Sequence, residues 1–166
     1  MAVIDHFDAA WERWFALETD PKKPDAWHDD PDDPGGVTKY GFAQKYHPDI
    51  DVKAMTREQA KERLRKKYWI PFGLHLIRHK ALAIKTLTLA GFLGPGRAVK
   101  LLQQACQQLG ADLIADGKIG PATAGWLNSY RHPGAIEEVM ESLSTTYLLA
   151  KGKGKFIAGW LIRVDA

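Results

Sequence analysis

Residues 3–18 read VIDHFDAAWERWFALE. Ile4, Phe7, Trp11, Trp14 and Phe15 recur at three- and four-residue steps, the spacing of one face of an α-helix. Glu18 keeps that rhythm, four after Trp14 and three after Phe15. The helix predicted over 3–18 therefore carries a carboxylate at the end of its apolar stripe. Asp20-Pro21 stops it, because a residue before proline is pushed out of the helical region.

Outward from this helix the chain alternates helical signals with punctuation. Residues 19–37 hold four prolines, six aspartates and the Gly35-Gly36 pair, which excludes regular structure. Gly35 to Phe42 reads as a short hairpin or tight turn. Thr56 to Tyr68 is a helix opened by a Thr56/Gln59 capping box. Its charged residues, Glu58 and Glu62 among them, read as a solvated face, and it lacks the interleaved aromatics of a nucleic-acid site. Residues 80–92 are apolar nearly all round, which predicts a central buried helix. Gly94-Pro95-Gly96 breaks the chain before a helix from Arg97 to Leu109. Asp116 to Gly120 is a turn that sets Pro121 at a first helical position. Further helices are predicted over 121–130, 134–150 and 155–164. The fold class is mainly α, with about seven helices and a small hairpin or loop after the first.

Composition narrows the function. The chain has 166 residues, 45% hydrophobic and 26% charged, in the range of one compact globular domain. The net charge of +3 conceals a division. Residues 1–51 hold 5 Lys/Arg against 12 Asp/Glu, while residues 52–166 hold 18 against 8. Cys106 is the single cysteine, which excludes an intramolecular disulfide and a cysteine-based zinc site. No apolar run is long enough to span a bilayer. Asp5, Asp8 and Glu12 stand where a signal peptide needs basic and then apolar residues, so synthesis in the cytoplasm is expected.

Glu18 is the leading candidate for chemistry. A carboxylate on an apolar stripe is desolvated, and the negative end of a helix dipole acts in the same direction; both favour the protonated form that a general acid needs. Asp25, Asp29, Asp30, Asp32 and Asp33 offer a second carboxylate within one loop, the pairing that glycoside hydrolysis uses. Their spacing lacks the alternating ligands and distal glutamate of a calcium loop. Thr38 has a hydroxyl that could orient water beside a carboxylate. His28 is the one histidine near this loop. No histidine pair has short metal-ligand spacing, and no cofactor or metal is expected. Cys106 reads as a packed thiol.

Several runs, in order, resemble a known family. They are Glu18 at a first helix end, Asp30-Pro31-Asp32-Asp33-Pro34-Gly35-Gly36-Val37-Thr38-Lys39-Tyr40-Gly41-Phe42, Met55 to Ala60, Tyr68-Trp69, Gly94 to Ala98, Asp116 to Thr123, and Phe156 to Val164. The order resembles the family 108 glycoside hydrolases, N-acetylmuramidases of phage endolysins and bacterial secretion muramidases. The resemblance implies a lysozyme-like catalytic region over 1–100. It implies a helical peptidoglycan-binding-like region over 101–166, packed into the same unit. It also implies cleavage of the β-1,4 bond between N-acetylmuramic acid and N-acetylglucosamine. The family's catalytic glutamate falls on Glu18, its aspartates on Asp30 and Asp33, and its threonine on Thr38. Tyr40, Trp69 and Trp27 are candidates for sugar stacking.

Three departures accompany the resemblance. Glu18-Thr19-Asp20 replaces a usual Glu-Gly-Gly. The loop from Glu18 to Asp30 is about six residues longer than usual. Thr88 and Phe92 stand where the family tends to carry Asp and Asn. The expected partner is bacterial peptidoglycan, with no nucleic acid. A monomer is expected to reach the wall through a holin or an export system. The rival expectation is a peptidoglycan-binding protein that does not cut.

Overall fold

The computed structural model describes residues 5–31, 34–151 and 157–165. Among them are seven α-helices and one two-stranded sheet: α1 (Phe7–Glu18), β1 (Thr38–Lys39), β2 (Phe42–Ala43), α2 (Arg57–Leu64), α3 (Lys80–Leu93), α4 (Pro95–Gln108), α5 (Pro121–Ser129), α6 (Pro133–Lys151) and α7 (Ile157–Asp165). The mainly α, lysozyme-like expectation holds. No described helix is long and apolar enough to cross a membrane.

The apolar stripe of α1 buries Phe7, Ala10, Trp11 and Trp14, and the helix ends at Glu18 with Thr19 extended. The Thr19 hydroxyl donates to the Phe15 carbonyl at 2.7 Å, satisfying one of the last-turn acceptors. At the other end Asp5 ties the helix down. Its carboxylate accepts from Phe7 N at 3.1 Å, Trp69 Nε1 at 2.9 Å and Arg65 Nη2 at 2.6 Å.

Burial alone would raise the Asp5 pKa, but these donors and the Arg65 charge outweigh it and hold the carboxyl below its ordinary value. A depressed carboxyl stabilises the fold above its unfolded pKa of about 3.9, and this contribution is lost as pH falls through the folded value. We expect the melting temperature of Asp5→Asn to lie below wild type at neutral pH. The gap should narrow below about pH 4, as read by thermal melts across pH. A gap that stays constant with pH contradicts this role.

α3 is the central helix. It packs against α1, α4, α6 and α7, and eight of its residues are buried, among them Leu82, Leu87 and Leu89. An all-round apolar sequence forms the middle of the molecule because no face of it has to meet water. Lys85 is its buried charged residue. Its Nζ donates to the Val164 carbonyl and pairs with Glu141 at 2.6 Å, so one ammonium joins α3 to α6 and α7.

The capping box at Thr56 is present, with Gln59 N donating to Thr56 Oγ1 and Thr56 N to Gln59 Oε1. The helix expected to reach Tyr68 changes form after Leu64. Residues Arg65–Trp69 make a wider, π-type turn, and Ile70 N donates to Arg65 O at 3.0 Å. That turn brings Tyr68 and Trp69 inward.

In the C-terminal half, buried Gln103 organises the Asp116–Thr123 run. Its amide nitrogen lies 2.9 Å from Asp116 Oδ1 and 3.0 Å from Lys118 O, and its oxygen accepts from Gly117 N at 2.8 Å. Gly117 has φ +88, which glycine adopts without strain. Ile119 N donates to Phe72 O at 2.9 Å, joining this run to the first half of the chain.

Candidate active site

The hairpin after the acidic loop is built on a two-residue turn. Thr38 pairs with Ala43 and Lys39 with Phe42, antiparallel. Tyr40 and Gly41 between them both have positive φ, +52 and +83. That combination matches the handedness of a tight hairpin, where glycine is the favoured second residue. Tyr40 tolerates it because its carbonyl accepts from Trp14 Nε1 at 2.8 Å and its ring stacks on Phe15 at 5.8 Å. The hairpin is thereby fastened to the last turns of α1.

This arrangement encloses Glu18. The side chain is 16% exposed. Its Cγ lies 2.8 Å from where a Cβ on Gly41 would stand, and its Oε1 lies 3.5 Å from the corresponding point on Gly91 of α3. The two glycines leave the room that the carboxylate occupies. Burial pushes the Glu18 pKa up, opposed first by the charge and hydrogen bond of Arg163 and then by His28, and the balance is upward. The expectation of a desolvated carboxyl at the helix end is thus met by geometry.

His28 and Thr38 are brought beside each other by backbone pairing. His28 N donates to Thr38 O at 2.9 Å, and Thr38 N donates back at 2.8 Å. The Thr38 hydroxyl donates to Gly36 O at 3.1 Å. Asp30 follows two residues after His28 and is exposed. Asp33, the other aspartate carried over from the resemblance, lies outside the described residues.

The three aromatic candidates separate. Trp69 has no exposure, packs on Phe7 with ring centroids 5.4 Å apart and gives its N–H to Asp5. It has no face to present to a sugar, and its expected stacking role is corrected to core packing. Tyr40 is 2% exposed. Its hydroxyl donates to Asp25 at 2.6 Å, and burial together with Asp25 pushes the phenol up to about 12. With Phe15, Asp25, Lys39 and Arg57 it lines an open cleft of about 480 Å³ that does not include Glu18. Trp27 is 46% exposed, with Lys53 Nζ 4.1 Å from the ring centroid, and of the three it alone presents a substantial surface. Cys106 is buried, and burial pushes its thiol up to about 12, in keeping with a packed rather than reactive group.

Sequence reading missed the strongest partner of Glu18. Arg163 Nη1 donates to Glu18 Oε1 at 2.6 Å and its Nη2 to Leu17 O at 3.2 Å. The general expectation that a buried carboxylate is paired could have prompted a search for a cation. Nothing local points to a residue 145 positions away. Among the described residues no cluster of three or more His, Cys, Asp or Glu could hold a metal ion.

Comparison with known proteins now bears on this site. Residues 25–91 match the family described as Glycosyl hydrolase 108, and residues 97–165 match that described as Predicted Peptidoglycan domain. The first span begins after Glu18. Among solved structures, that of Brucella abortus SagA superposes with a TM-score of 0.76 at 27% identity, covering 96% of this chain and 89% of that one. No curated protein matches. The two matched spans take in the hairpin, α3 as far as Gly91, and α7, which surround Glu18. The chain carries a glycosyl hydrolase 108 domain joined to a predicted peptidoglycan domain, the pairing of a peptidoglycan hydrolase.

Proposed function

We propose that the chain cleaves the β-1,4 bond between N-acetylmuramic acid and N-acetylglucosamine, with Glu18 as general acid. The observation that carries this reading is the Glu18 carboxyl, its pKa raised by burial, enclosed by the hairpin and α3 beside a glycosyl hydrolase 108 match. Glu18 protonates the glycosidic oxygen as the bond breaks. Asp33 or Asp30 then stabilises positive charge at the anomeric carbon or, with Thr38, orients the attacking water. Carboxyls roughly 6.5–9.5 Å apart direct water to the anomeric carbon, whereas about 5–5.5 Å permits a covalent intermediate.

The cationic surplus of residues 52–166 favours approach to an anionic wall, an attraction that salt screens. In this reading the chain acts as a monomer. It meets peptidoglycan after release from the cytoplasm by a holin or an export system, in host lysis or in wall remodelling during secretion.

The second reading is wall binding without cleavage. It rests on Phe92, which stacks on Trp160 with rings 6.1 Å apart and 12° from parallel, a packing role where the resembling family tends to carry Asn. Incubation of the purified chain with peptidoglycan sacculi separates the two. Soluble fragments with new reducing ends are expected. Sedimentation of the chain with the wall, with no rise in reducing ends, would establish the second reading.

A further inference from the structure

α7 lies in the span matched to the predicted peptidoglycan domain, yet it reaches the enclosed carboxylate of the first half. Its placement is secured from two other helices. Lys85 of α3 holds the Val164 carbonyl and pairs with Glu141 of α6, and Phe92 of α3 stacks on Trp160. Arg163 emerges between these anchors, its side chain 27% exposed. Its guanidinium then forks. One arm takes Glu18 Oε1 and the other takes the Leu17 carbonyl, an acceptor that the end of α1 leaves without an intrahelical partner.

We propose that Arg163 is a positioning residue for Glu18, through which the C-terminal domain completes the catalytic centre instead of serving only as a wall anchor. The proposal rests on the reading of Glu18 as proton donor. A carboxyl turns readily about its last torsion, where the energy wells are broad. The bond to Oε1, from a guanidinium itself oriented by the Leu17 carbonyl, restrains that torsion. With Oε1 engaged by Arg163, Oε2 is left as the oxygen that carries the proton to the substrate. A lysine is a point charge with rotatable donors and cannot hold Glu18 and Leu17 in the same fixed geometry.

The surroundings of Glu18 make Arg163 the dominant cation. Among the described residues, His28 contributes from the loop and Tyr68 from the π-type turn. β2's turn and α3 present Gly41 and Gly91, which carry no charge. Burial drives the carboxyl toward protonation, and Arg163 limits how far. The group therefore loses its proton more readily than an unpaired carboxyl in the same place.

The test compares full-length wild type, Arg163→Met and Arg163→Lys. The Glu18 carboxyl is followed by 13C NMR across pH, its signal assigned by its absence from Glu18→Gln. The same proteins are assayed across pH on dye-labelled peptidoglycan. In Arg163→Met the Glu18 titration should move up by about 1–3 pH units, the effect of removing an adjacent guanidinium, and the alkaline limb of activity should move with it. Arg163→Lys should return both toward wild type. Its kcat should nevertheless fall on the order of 10-fold to 10²-fold at little changed KM, because orientation is lost while charge is kept.

A Glu18 titration unchanged in Arg163→Met, or the same in Arg163→Lys as in Arg163→Met, overturns the proposal. Should Arg163→Met fail to fold, a wild-type kcat in Arg163→Lys overturns it alone. The NMR titration needs no substrate. Absence of wild-type activity, or full activity in Glu18→Gln, would instead strike the reading of Glu18 as the acid.

Discussion

Glu18→Gln should lose activity on peptidoglycan by about 10²–10⁴-fold while keeping its fold, since that is the range a positioned general acid contributes. Glutamine preserves the shape of the side chain, so the space beside Gly41 and Gly91 stays filled. Its carbonyl can still accept from Arg163, but it has no acidic proton to give. The energetic consequence for folding is small for two opposed reasons. The ion pair to Arg163 is weakened, which destabilises. A carboxylate no longer has to be kept out of water, which stabilises. Arg163 retains access to solvent and to Leu17. A melting temperature within a few degrees of wild type, with rate on labelled peptidoglycan down at least a hundredfold, is therefore expected. Equal rates would remove Glu18 from the chemistry.

Gly41→Ala should damage stability and activity together. Gly41 has φ +83, and an alanine there incurs roughly 1–2 kcal/mol for the left-handed backbone. Its Cβ would also stand 2.8 Å from Glu18 Cγ and 2.9 Å from Trp14 Nε1 and Cζ2. Overpacking of this kind costs about 1–3 kcal/mol more. Trp14 cannot retreat without breaking its bond to the Tyr40 carbonyl. The yielding atom is then Glu18 Cγ, which moves the carboxyl from its place. A fall of roughly 5–20 °C in melting temperature follows for a chain of this length. A displaced acid adds a loss of up to about 10²-fold in rate. Gly36→Ala is the control. It has φ +69 and an added Cβ would meet nothing within 4 Å, so only the backbone contribution applies. Equal effects of the two substitutions on activity would mean that Gly41 does not set the Glu18 position.

Much of this arrangement is legible from local sequence. The α1 stripe ends on Glu18 because aromatic spacing continues to that residue. The Tyr40-Gly41 turn is announced by glycine beside short β-forming runs, and α3 by an apolar sequence too long and too uniform for a surface helix. The capping box at Thr56 is readable for the same reason: each of these signals acts over a few residues.

What was not legible depends on contacts between distant segments. Trp69 and Trp27 are alike as sequence, yet one is sealed against Phe7 and the other exposed. Aromatic identity says nothing about which face remains open. The π-type turn after Leu64, which ends just ahead of Pro71, brings Tyr68 and Trp69 toward the core without any local signal of its wider geometry. Arg163 could not be distinguished from the other cations of the basic C-terminal half, because its role depends on α7 lying across the end of α1. The charge division itself is now resolved in part. The acidic half contains the enclosed Glu18, while one cation of the basic half pairs with it.

The central claim is the identity of the bond cut and the group that cuts it. Mass spectrometry of peptidoglycan digested by equal amounts of each protein for one fixed short time, after borohydride reduction of the new ends, tests both at once. Fragments ending in reduced N-acetylmuramic acid are predicted with wild type and absent with Glu18→Gln. Fragments ending in reduced N-acetylglucosamine, or the same muramic ends from both proteins, would contradict the account.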